Sequence, residues 1–77
     1  MTASQHVSLT PRERETAYLL IQGIPPRVIA IRLVLSLATV RAHIRGLHSK
    51  TVTHDMVSLI FWSNAHHLCC IAGYNTD

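Results

Sequence analysis

The stretch Ser36-Leu37-Ala38-Thr39-Val40-Arg41-Ala42-His43-Ile44-Arg45-Gly46-Leu47-His48-Ser49-Lys50 decides the fold. Leu37, Val40, Ile44 and Leu47 recur with the three- and four-residue spacing of one buried face of an α-helix. Ser36 stands just before the stripe, where a side-chain oxygen can accept from the first free N–H groups of a helix. The opposite face carries Ala38, Arg41, Ala42, Arg45, His48 and Ser49. Arg41 and Arg45 are one helical turn apart and point the same way. The stretch therefore reads as a helix with an apolar inner side and a basic outer side. Gly46 is its weak point, because glycine inside a helix costs about 1 kcal/mol relative to alanine.

Upstream, Pro26 can open a short helix whose inner residues are Ile29, Ala30 and Leu33. It ends near Leu33, and Val34-Leu35 make a tight connection to Ser36. Further upstream, Leu9-Thr10-Pro11-Arg12-Glu13 is a strong helix start. Thr10 caps, Pro11 suits the first helical position, Glu13 completes a capping box, and Leu9 occupies the place of a hydrophobic staple. That helix runs to about Gln22. Gly23 stops it and Pro25-Pro26 forbid its continuation. Downstream, Thr51 to His54 read as a turn. Asp55 caps a fourth helix that holds Met56 to Trp62 and reaches the histidines His66 and His67. The expected fold is all-α with four helices and no strand or wing, its second and third helices forming a helix-turn-helix. Residues 1–8 read as a flexible arm, 9–68 as the domain and 69–77 as a C-terminal tail.

At 77 residues the chain makes one domain with a thin core, a size that often leans on a partner. Apolar residues form 48% of it and charged ones only 14%, so some apolar surface is expected to be covered by another chain. The net charge of +3 is a mild bias, but its distribution is informative. Glu13, Glu15 and Asp55 lie near helix starts and Asp77 at the terminus. Between Thr16 and His54 there is no acid, while Arg27, Arg32, Arg41, Arg45 and Lys50 are spread through that middle. Such a pattern suits a polyanion such as DNA, and equally describes a solvated basic face.

Other chemistries find little support. No catalytic pair or phosphate loop is present, so an enzyme is not expected. His66-His67-Leu68-Cys69-Cys70 invites a metal reading, but zinc sites separate paired ligands by two to four residues. Adjacent ligands on a helix point about 100° apart. No metal and no cofactor is expected. Cys69 and Cys70 are neighbours and cannot staple distant parts of a fold, and no signal peptide or membrane-length apolar run is seen. The expected compartment is the reducing cytoplasm.

Leu9-Thr10-Pro11-Arg12-Glu13-Arg14-Glu15, Leu20, Gln22-Gly23, Ile29-Ala30, Leu33, Ser36, Thr39-Val40, His43, Lys50 and Trp62 together resemble the LuxR/GerE-type helix-turn-helix of bacterial regulators. The likeness runs without a gap from Leu9 to about Ser63. It implies a four-helix domain that binds DNA with its second and third helices and pairs two copies through the fourth. With so little chain beside the domain, the stand-alone, GerE-like form is expected. Several positions depart from the family pattern. Val34 and Val52 stand where glycines are expected. Leu37 and Ala38 replace two polar residues, and Ala42 replaces a frequent asparagine.

Site expectations follow. Arg41 is the first candidate for a base contact, since an arginine can place two hydrogen bonds on guanine O6 and N7. Arg45 can read a base or a phosphate. Thr39, in the first turn, can meet a phosphate or simply cap its helix. Arg27 matches a basic family position suited to a phosphate, Lys50 would flank the backbone, and Ala42 lies on the DNA-facing side. His43 matches a family histidine suited to packing or a phosphate. The fourth helix is apolar nearly all round, and Val57, Ile60 and Phe61 are the candidate dimer interface. Tyr18, Ile21, Val28 and Ile31 form a second apolar excess, read either as a surface for another protein or as scattered exposed residues. Two functions compete. One is a transcriptional regulator binding duplex DNA as a homodimer. The alternative is a protein-binding module of the same fold that has lost DNA recognition and modulates a larger regulator by pairing with it.

Overall fold

Thr10 and Glu13 start the first helix by bonding to each other's backbone. The Thr10 hydroxyl accepts from the Glu13 N–H at 3.2 Å, and the Glu13 carboxylate accepts from the Thr10 N–H at 3.0 Å. Helix α1 then spans Pro11–Ile21. Gly23, at φ +83°, turns the chain out of it. The computed structural model describes residues 8–66 together with Ile71. Beyond α1 it contains α2 at Pro26–Leu33, α3 at Leu37–Thr51 and α4 at Met56–Ala65, with no strand among the described residues.

Each start expected from a capping residue is found. Pro26 opens α2. The Ser36 hydroxyl accepts from the Thr39 N–H at 3.0 Å and starts α3. The Asp55 carboxylate accepts from the Ser58 N–H at 3.1 Å and starts α4. The ends differ slightly. Helix α3 continues through Thr51, one residue into the expected turn, where the Thr51 hydroxyl donates to the Leu47 carbonyl at 2.7 Å. Helix α4 stops at Ala65, with His66 as its cap.

Val34 and Val52 close α2 and α3 in the left-handed region, at φ 56° and 55°. These are the two positions where the resemblance leads one to expect glycine. The bends are kept although a β-branched side chain is poorly suited to them.

The core gathers Leu9, Ala17 and Leu20 from the first segment, Ile29 and Ala30 from α2, and Val40, Ile44 and Leu47 from α3. Leu59 of α4 and Ile71 complete it. Burying each of the large aliphatic side chains contributes about 1.5–3 kcal/mol before conformational entropy is counted. Three of the four stripe residues of α3 are thus fully inside, while Leu37 in the first turn is half-buried. Ile71 lies in the stretch expected to be a tail, yet it is buried. Residues 1–7 of the arm expected at 1–8, and the Cys69-Cys70 pair, fall outside the described residues. None of the described helices is long and apolar enough to cross a membrane.

Candidate nucleic-acid interface

Helix α3 is held by its inner face, so its outer face is free to meet a ligand. Ala38, Arg41, Ala42 and Arg45 are all exposed there, on one strip. Arg27, in the first turn of α2, and Arg32, near its end, are exposed as well. Among the described residues no carboxylate pairs with any of these four arginines. Their charge is therefore available to a polyanion.

The remaining expected site residues are placed differently. Thr39 is half-buried and tied into the cap. Its N–H donates to the Ser36 hydroxyl, which in turn donates to the Thr39 hydroxyl oxygen at 2.9 Å. His48, expected on the outer face, is half-buried and shares a hydrogen bond of 2.9 Å with the Thr53 hydroxyl. His43 is half-buried too.

Lys50 has an intramolecular partner that its position in the chain does not suggest. Its ammonium donates to Glu13 Oε1 at 2.9 Å, across 37 residues of sequence. Glu13 is only 7% exposed, so one buried carboxylate both caps α1 and receives the far end of α3. Burial alone would raise the Glu13 pKa. The Lys50 hydrogen bond, the Thr10 N–H and the Lys50 charge outweigh it, and the carboxyl titrates below its ordinary range.

Gly46 makes room for this arrangement. A Cβ at that position would lie 2.5 Å from Glu13 Oε2, closer than non-bonded atoms approach. The helix-weakening glycine is the notch into which the Glu13 carboxylate fits. The middle of the chain, free of acids in sequence, thus has one acid folded onto it in space.

The apolar residues read as interfaces divide in the same way. In α4, Leu59 is fully buried, and Met56, Ile60 and Trp62 pack partly against the core. Val57 and Phe61 are 76% and 77% exposed, so of the candidate dimer residues these two are open and Ile60 lies behind them. Trp62 stacks on the His66 ring at 4.2 Å between centroids. Tyr18, Val28 and Ile31 are exposed, whereas Ile21 is half-buried against the core. Val34 and Val52, at 87% and 79%, are the most exposed large apolar side chains among the described residues. No three His, Cys, Asp or Glu side chains cluster in a metal-binding arrangement among the described residues. His67, Cys69 and Cys70 lie outside that set.

Comparison with known proteins identifies the family to which this four-helix arrangement belongs. The family model for bacterial regulatory proteins of the luxR family, GerE, matches residues 7–63. Among curated proteins the chain is similar to the nitrate/nitrite response regulator protein NarL of Escherichia coli strain K12, at 37% identity over 54 residues. The same protein of Escherichia coli O6:H1 strain CFT073 matches equally, at 37% over 54 residues. Each match covers 70% of this chain and 25% of the relative, so the chain spans about a quarter of the length of the curated relatives it matches. No solved structure matches significantly. The match covers all of α1, α2 and α3 and most of α4, and the chain belongs to the luxR family of bacterial regulatory proteins, a family of regulators and not of enzymes.

Proposed function

We propose that this domain binds duplex DNA as a transcriptional regulator, with α3 in the major groove and α2 across the backbone. One observation carries the reading. On the second helix of a helix-turn-helix, Arg41 and Arg45 stand exposed on one face with no carboxylate partner among the described residues. Arg41 is assigned a guanine edge and Arg45 a base or a phosphate. Arg27 and the first turn of α3 around Thr39 are assigned to phosphates. Ala42 lies between the two arginines on the groove-facing strip. Lys50 is assigned a flanking role that competes with Glu13 for its ammonium.

So few cations per copy give weak binding, and because the salt slope grows with the number of phosphates contacted, two paired copies bind with about twice the slope of one. A homodimer through Val57 and Phe61, with Ile60 behind them, would join two half-sites about 34–36 Å apart. The cytoplasm, where bacterial DNA lies, is the compartment this role requires.

A salt-titrated binding assay on random duplex DNA tests the reading. Wild type is expected to bind with an affinity that falls steeply as salt rises, and Arg41→Ala and Arg45→Ala to bind more weakly at every salt concentration. Absence of salt-dependent binding overturns it. The interaction-module reading then takes its place, supported by the exposed Tyr18, Val28 and Ile31 and by the apolar Ala38 and Ala42.

A further inference from the structure

From Ala38 to Arg45 the groove-facing strip of α3 contains only two kinds of chemical group, and Ser49, exposed one turn further on, adds a hydroxyl at the far end of the same face. Ala38, Arg41, Ala42 and Arg45 are exposed. At about 100° of rotation per residue they fall within one arc of roughly 100°. The first turn adds little to that strip. The Ser36 and Thr39 hydroxyls are bonded to each other, Thr39 is half-buried, and the half-buried Leu37 is aliphatic. Two guanidinium forks and two methyl groups are what the strip offers to a base edge between Ala38 and Arg45.

In the major groove each base pair presents its own pattern. Guanine offers two acceptors that match an arginine fork, and thymine alone offers a methyl group. Reading adenine needs an amide such as asparagine or glutamine, and this strip has none. We infer that Ala38 and Ala42 are specificity-determining contacts to thymine methyl groups, so that the half-site combines guanines facing Arg41 and Arg45 with thymines facing the two alanines. The inference rests on the DNA-binding reading above and adds to it the base class read by the apolar positions. Ala42 follows Arg41 directly and Ala38 precedes it by one turn. The thymines are therefore next to the guanines, interleaved with them, and not in a separate tract.

Sites selected by the full chain from random duplex DNA supply the test. Each selected thymine is replaced in turn by deoxyuridine, which pairs identically and lacks only the C5 methyl. At one or two thymines per half-site the Kd is expected to weaken about fourfold for each methyl removed. Ala38→Ser and Ala42→Ser, with folding checked by far-ultraviolet circular dichroism, are each expected to lose the penalty at one thymine and keep it at the other. Ala42→Asn is expected to exchange thymine for adenine at its position. If binding stays salt-dependent but deoxyuridine costs nothing at any position, the methyl reading is overturned and the DNA reading stands. Sites without a base preference, or a deoxyuridine penalty unchanged in every alanine variant, overturn it equally. No salt-dependent binding at all removes both, and assigns the apolar strip to a protein partner.

Discussion

Gly46 shows how a residue's local cost and its role in the fold can have opposite signs. By helix propensity it is a defect worth about 1 kcal/mol. In the fold it is the space that Glu13 Oε2 occupies, 2.5 Å from where a Cβ would be. Gly46→Ala is expected to destabilise wild type by about 1 kcal/mol, because displacing the carboxylate weakens the α1 cap and the Lys50 pair. In a Glu13→Ala background the same change is expected to stabilise by about 1 kcal/mol. Urea denaturation of the four proteins in this cycle checks both signs, and additivity within about 0.5 kcal/mol would refute the notch. Val34 and Val52 are the complementary case. Each is held in a left-handed conformation that costs a β-branched residue about 1–2 kcal/mol, and each is exposed, so little packing is lost by removing its side chain. Val34→Gly and Val52→Gly are each expected to raise stability by about 0.5–1 kcal/mol after the extra freedom of glycine in the unfolded chain is counted. A fall in thermal midpoint for either variant would show that the bend is not strained. The departure from glycine at both positions was legible in the sequence. That the left-handed bends persist was not, since backbone geometry at a valine has no local signature.

Helix boundaries were the most legible element-scale feature, because a cap is settled within four residues. Thr10, Ser36 and Asp55 each do what their position implies. The extra residue at the end of α3 was not legible, because it reflects the Thr51 hydroxyl reaching back to the Leu47 carbonyl. Helix α4 shows where periodicity fails. It is apolar nearly all round, so a stripe cannot separate core from surface, and Ser63 proves fully buried while Phe61 lies open. Its Val57–Phe61 face gives the element its test. Phe61→Asp is expected to leave the helical circular dichroism unchanged, since the side chain is not in the core. If α4 pairs two copies, light scattering at micromolar concentration is expected to show the variant at monomer mass and wild type at twice that mass. A monomeric wild type would end the proposal that this face is a dimer interface.

Across the whole molecule, the Glu13–Lys50 pair joins the start of α1 to the far end of α3, and it makes stability depend on pH. The Glu13 pKa is lowered in the folded state, so its contribution is complete above the ordinary value of 4.5 and is lost as pH falls through the lower folded value. Asp55 is lowered in the same direction by its hydrogen bonds from Ser58. Glu13→Gln keeps a capping-box side chain and removes the charge. The stability gap between wild type and Glu13→Gln is therefore expected to be constant near neutrality and to shrink below about pH 4.5. Asp55 titrates alike in both proteins and cancels. A gap that does not change with pH would mean that the charge contributes nothing. Of the candidate site, the exposure of Arg41 and Arg45 was legible, because it follows from the α3 stripe. The loss of Lys50 to Glu13 was not, since the partners are 37 residues apart. The two left-handed valines also bear on how the domain responds to inherited damage. A valine codon becomes a glycine codon by one base change, so relief of strain at either bend lies a single mutation away. In a screen for second-site revertants of a core lesion such as Leu59→Ala, glycine at 34 and at 52 is expected to recur, restoring the fold without repairing the hole.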